Sequence, residues 1–200
     1  MQNKHKNKAR LIDNISDIDQ YRPILEKDNF QQSEPHWRRI SKNAITLFQV
    51  LIDQDLQDLV KVLNAYPKYT EWVCEHFRYA YSYSENYADI NAASELLELG
   101  EPYFSKQFVR NVVRKLPKLD DMSVEELIAF SNSLMKEHKE WHPIVTNHFI
   151  ATILLRSEAL NLHPLQKIIL TKEITKIPKI KTYEYEAEDR DAVLDIPYMN

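Results

Sequence analysis

Three residues that favour the N-cap position of a helix recur at a fixed interval along the chain. Asp55 and Asp89 are 34 residues apart, as are Asp89 and Ser123, and each precedes an apolar pattern of helical period. Such an interval is typical of arrays in which each helical hairpin buries its apolar face against the next. The spacing therefore predicts an all-α, solenoid-like fold of tandem antiparallel helical hairpins.

The positions behind the three caps also match in apolar character. They form three columns: Leu56, Ile90 and Val124; Leu59, Ala93 and Leu127; and Val62, Leu96 and Phe130. Ser123 and Glu126 further form a capping-box pattern. These columns predict that equivalent faces of the three opening helices are buried.

Prolines mark where the second helix of each hairpin begins, since proline suits the first turn of a helix. Pro67, Pro102, Pro143 and Pro164 predict helices over 72–81, 103–116, 144–160 and 165–177. A further helix is predicted from Ser33 to about Gln54, which makes about eight helices in all. We assign this helical repeat domain to residues 33–178.

Polar segments flank this domain. Residues 1–32 are predicted to be an N-terminal arm with at most one short helix, and residues 179–200 an acidic tail. Neither end can bury enough apolar surface to be ordered alone, so we expect a partner to hold them. Deletion of 1–20 or 182–200 is expected to change the free energy of unfolding by no more than about 1 kcal/mol.

The single glycine, Gly100, excludes phosphate-cradling loops, dinucleotide fingerprints and nucleophile elbows. The single cysteine, Cys74, excludes an internal disulfide and is expected to be a buried structural residue. No apolar run approaches the length of a membrane span. We therefore predict no catalytic residues, no cofactor and no small-molecule substrate.

His138, His142 and His148 are the one cluster that resembles a set of metal ligands. Pro143 should break the helix at His142, and the glutamate of a zinc-protease motif is missing beside His138. Surface or capping roles are therefore expected for these histidines, and no metal site is predicted.

A basic row is predicted on the helix over 103–116. Lys106, Arg110 and Arg114 follow one another at four-residue spacing, Lys115 and Lys118 lie at the end of the row, and no acid occurs over 104–119. Such a row can be a solvated helix face, can meet an acidic protein surface, or can position RNA phosphates.

A second candidate interface is rich in tyrosine. Its members are Tyr79, Tyr81, Tyr83 and Tyr87. Tyrosines at helical spacing pack between helices, but so many amphipathic rings in one stretch also suit a protein interface.

The stretch from Asp121 to Ile128, with Ser131 to Leu134 and a proline-led second helix behind it, resembles one unit of the degenerate helical repeats of FAST-kinase-like and other organellar proteins. The 34-residue period is also that of tetratricopeptide and pentatricopeptide repeats. The resemblance covers about residues 55–177. It implies scaffolding or RNA binding in large, often organellar, assemblies.

The sequence thus predicts a non-catalytic structural subunit of a multiprotein or ribonucleoprotein assembly, with other protein subunits as partners. The alternative is an RNA-binding helical repeat protein that uses the basic row. An intracellular location is expected, and the residues leave the cytoplasm and the mitochondrion open.

Overall fold

The computed structural model describes residues 18–28, 40–77, 88–160, 162–172 and 174–177, and every regular element within them is helical. The α-helices are α1 (Arg22–Leu25), α2 (Lys42–Gln54), α3 (Leu56–Ala65), α4 (Thr70–Phe77), α5 (Ile90–Gly100), α6 (Lys106–Arg114), α7 (Val124–Glu137), α8 (Pro143–Ala159) and α9 (Pro164–Thr171). Short 3-10 turns occupy Pro67–Tyr69, Glu101–Tyr103 and Ile174–Lys176. The prediction of an all-α protein is confirmed for these residues.

The three predicted N-caps lie where the spacing places them, at the starts of α3, α5 and α7. The Asp55 carboxylate accepts a hydrogen bond from the Asp58 amide at 2.9 Å. Asp89 accepts one from the Ala92 amide at 3.0 Å. At α7, Ser123 and Glu126 satisfy each other's backbone amides in a complete capping box. The repeated signal in the sequence therefore corresponds to three helix starts of the same kind.

One continuous core joins these helices. Leu59, Ala93 and Leu127, which form the second apolar column, are fully buried in it. Helix α5 lies centrally, since it contacts α3, α4, α6 and α8. Helix α9 packs against α7 and α8, and the Ser131 hydroxyl donates to the Leu170 carbonyl at 3.2 Å.

The single glycine is explained by a close approach of three helices. A Cβ on Gly100, at the end of α5, would lie 2.7 Å from the ring of Phe108 on α6 and 3.1 Å from the Cys74 sulfur on α4. Phe108 is fully buried and so has little room to withdraw. Cys74 is buried as expected, and its burial raises the pKa of the thiol to about 12.

Several helix boundaries differ from the prediction. Helix α2 begins at Lys42, because Ser41 caps it; the predicted start at Ser33 lies outside the described residues. Helix α6 spans Lys106–Arg114 instead of 103–116, because Ser105 caps it and the chain turns at its C-terminal end. In place of one helix over 165–177, α9 ends at Thr171 and a separate 3-10 turn follows.

Part of the predicted polar arm belongs to the helical body. Ile18 and Leu25 are buried in the core. The buried carboxylate of Asp28 accepts a hydrogen bond from the Tyr69 hydroxyl at 2.9 Å and another from the Ser41 amide at 3.1 Å. The body therefore includes residues 18–28, and a deletion through residue 20 would remove a core side chain.

Candidate interaction surfaces

The basic row lies on α6, as its spacing predicts, but its members differ in exposure. Lys106 and Arg110 are half-buried, whereas Arg114 at the end of the helix and Lys118 beyond it are exposed. The surface that this row offers to an anion is therefore concentrated at the C-terminal end of α6.

Lys115 is not on that surface, because its side chain is only 4% exposed. Its ammonium donates to the backbone carbonyl of Asp53 at 3.2 Å, at the C-terminal end of α2, where the helix dipole favours a cation. Its own carbonyl accepts from the Ala88 amide at 2.7 Å. Burial lowers the pKa of Lys115, and the charge of Asp53 opposes this effect. Lys115 therefore joins α2, α6 and the start of α5.

A cleft of about 220 Å³ lies beside Lys115, and Asp53, Asp55 and Asp89 contribute to its lining. Asp55 and Asp89 are the N-caps of α3 and α5, so their carboxylates already accept backbone hydrogen bonds. The ends of α2, α3, α5 and α6 therefore meet at this cleft. The hydrogen bonds described for its polar groups stabilise these helix ends.

We expect Lys115→Met to lower the free energy of unfolding by about 2 kcal/mol, because the Asp53 carbonyl loses a charged donor. Arg114→Met is the matched control, since this neighbour is exposed, and a change below about 0.5 kcal/mol is expected there. Urea denaturation of the two variants measures the difference. A Lys115→Met variant as stable as the parent would show that the desolvation of the ammonium outweighs its hydrogen bond.

The three clustered histidines have separate surroundings. His142 caps α8: its Nδ1 accepts from the Ile144 amide at 3.3 Å, and its Nε2 lies 3.5 Å from Glu101 Oε1. His138 places its Nδ1 3.1 Å from the Met135 carbonyl at the end of α7. Across the described ranges, no group of three or more His, Cys, Asp or Glu side chains is arranged to hold a metal ion.

His148 lies inside the packing of α8, and burial alone lowers the pKa of its imidazole to about 4. The ring of Phe149 is 5.4 Å away in an edge-to-face arrangement. Burial also lowers the pKa of His142, with an opposing effect from Glu101. Burial therefore disfavours the protonated form of both imidazoles.

The tyrosines predicted as a protein interface, Tyr79, Tyr81, Tyr83 and Tyr87, lie outside the described residues. Their neighbour Tyr69 is buried, with its ring 5.0 Å from that of Phe48. Core packing therefore accounts for Tyr69, which precedes the predicted interface in the chain.

An exposed apolar surface on α9 was not predicted from the sequence. Leu165, Ile168 and Ile169 are 64%, 53% and 62% exposed, and their spacing places them on one side of the helix. We call these three residues the α9 ridge. Leu170, on the other side of α9, is buried in the core. The signal in the sequence was the presence of apolar residues on more than one side of this helix, where only the helix itself was predicted.

Comparisons of this chain with protein-family models, curated protein sequences and solved structures find no match. Over the part of the chain that the structure describes, no helix combines the length and the apolar character needed to cross a membrane.

Proposed function

We propose that this chain is a non-catalytic structural subunit of a multiprotein assembly, and that the α9 ridge is a surface on which a neighbouring subunit docks. The observation that carries the proposal is three adjacent large apolar side chains, each more than half exposed. A contiguous apolar surface of this kind marks interaction sites on proteins. A helix of another protein can pack against side chains at this spacing.

The other titratable side chains described above support a structural role. Asp55 and Asp89 cap helices, Asp28 accepts hydrogen bonds from buried donors, and Lys115 holds helix ends together. RNA binding by the basic row is the alternative. The burial of Lys115 reduces the number of cations that this row can offer to phosphates.

The test compares variants of the tagged full-length chain recovered from its native cells. We expect the unmodified chain to elute from a sizing column with other proteins, and Ile168→Ser combined with Ile169→Ser to elute alone. The matched control is Val50→Ser, since Val50 is 44% exposed on α2, and it should remain in the assembly. Circular dichroism checks that all variants are equally helical.

Charge reversal separates the RNA alternative from protein docking. Arg114→Glu combined with Lys118→Glu should leave the chain in the assembly, and ribonuclease should not release it, because an apolar contact depends little on charge. Release by either treatment, together with retention of the α9 variant, would favour RNA binding. An unmodified chain that elutes alone would overturn the proposed function.

A further inference from the structure

The contact between α5 and the start of α8 joins two groups of the described helices. Helices α1 to α6 pack on one another, helices α7 to α9 do the same, and α5 with α8 is the main helix contact between the groups. Two adjacent residues make polar contacts across it. The Trp141 indole donates to the Asn91 side chain at 3.1 Å, and the His142 amide donates to the Ser94 hydroxyl. The start of α8 therefore anchors α7 to α9 on α5.

The imidazole of His142 takes part in this contact as a neutral acceptor. It is buried, with 2% of the residue exposed. Its Nδ1 caps α8 by accepting from the Ile144 amide, and a ring nitrogen can accept only when it carries no proton. Its Nε2 faces the Glu101 carboxylate, so the ring proton lies on Nε2. The cap therefore requires one tautomer of the uncharged ring.

Glu101, on the 3-10 turn after α5, is the charged group that acts most strongly on this imidazole, and it favours the protonated form. His138, at the end of α7, is directed to a backbone carbonyl of its own helix. The charged side chains at the adjoining ends of α5 and α7 are Glu98, Lys136 and Glu137, and all three are exposed to water. Helix α9 begins beyond the opposite end of α8. The electrostatic balance at His142 is therefore set by burial against Glu101.

A proton on Nδ1 removes the cap of α8. Both ring nitrogens then donate, so Nδ1 no longer accepts from the Ile144 amide. The imidazolium lies at the positive end of the α8 dipole, where a cation is unfavourable. Burial holds the pKa of His142 below 6.5, so the unfolded chain binds this proton more readily. The stability that the cap contributes is therefore present above pH 6.5 and is lost as the pH falls below that value.

We propose that His142 is a pH-sensitive cap, whose imidazole in mildly acidic solution releases the Ile144 amide and pairs with Glu101, so that the first turn of α8 loosens from α5. Histidine is suited to this role because its charge changes in that pH range. The inference goes beyond the proposed function and does not depend on it, since the free chain contains every group involved.

Nuclear magnetic resonance of the unmodified full-length chain follows the cap directly. We expect the Ile144 amide resonance to shift with the same midpoint as the His142 imidazole. The exchange protection of amides 144–146, relative to an unstructured peptide at the same pH, should fall about tenfold between pH 7 and pH 5. The indole proton of Trp141, which Asn91 holds, should lose protection together with these amides.

Two variants separate His142 from other titrating groups. His142→Asn keeps a favoured capping residue that takes up no proton in this range, so amides 144–146 should stay protected at pH 5. His148 is present in both chains, and the difference between them therefore reports His142. Glu101→Gln removes the charge that favours the imidazolium, so the midpoint should move to lower pH. The matched control is His163→Asn, because His163 caps α9 in the same way but is exposed, and it should behave as the unmodified chain.

Three results would overturn the inference. An Ile144 amide resonance that does not follow the imidazole would mean that protonation leaves the cap in place, and this measurement needs no variant. Equal loss of protection in His142→Asn and the unmodified chain would assign the effect to another group. An unchanged midpoint in Glu101→Gln would exclude the pairing with Glu101. The assembly experiment is read separately, so the proposed function can stand after any of these results.

Discussion

Replacement of Leu25 by alanine is expected to lower the free energy of unfolding by about 3 kcal/mol, the usual cost of removing a fully buried leucine. Leu25 is fully buried at the end of α1, which packs against α2, although it lies in a segment that reads as polar. The matched control is Ile24→Ala, because Ile24 is the half-buried neighbour on the same helix. A loss of about 1 kcal/mol is expected there.

Two truncations extend this prediction to the whole segment. Removal of residues 1–17 should change the stability by less than about 1 kcal/mol. Removal of residues 1–28 should leave the chain largely unfolded, because it also takes away Ile18, Leu25 and the Asp28 carboxylate that pairs with Tyr69. Thermal melting compares the two chains. Similar melting temperatures would show that the remaining helices fold without residues 18–28.

Acidification from pH 7 to pH 5 is expected to lower the free energy of unfolding by about 2 kcal/mol through His148 alone. Its pKa is about 4 in the folded chain, below the ordinary value of 6.5. Between these two values the unfolded chain binds the proton more readily, so stability falls as the pH decreases through this window. The loss approaches about 3 kcal/mol near pH 4.

Urea denaturation at a series of pH values measures this effect in the parent chain and in His148→Leu. Between pH 7 and pH 5, the free energy of unfolding of the variant should fall by about 2 kcal/mol less than that of the parent chain. Some dependence should remain, because burial also lowers the pKa of His142 and of His76. Equal slopes in the two chains would mean that the pKa of His148 is the same in the folded and the unfolded chain.

The sequence by itself determined the starts of α3, α5 and α7. Each cap depends on a hydrogen bond between a side chain and an amide three residues later, as for Asp55 and Asp58. A hydrogen bond between residues three apart can be predicted from a few neighbouring residues of the sequence. For the same reason, the prolines indicated α8 and α9 to within a residue at their starts.

Only the tertiary structure decided which side of a helix is covered. Arg114 and Lys115 are adjacent and both basic, yet one is exposed and the other buried, because a single residue turns about 100° around the helix axis. Asp28 is held in the body by Tyr69, which is 41 residues away. On α9, periodicity shows that apolar residues surround the helix, but the positions of α7 and α8 decide that Leu170 is buried while Leu165 faces outward. Burial of this kind depends on which helices meet across the fold, and no local pattern in the chain records it.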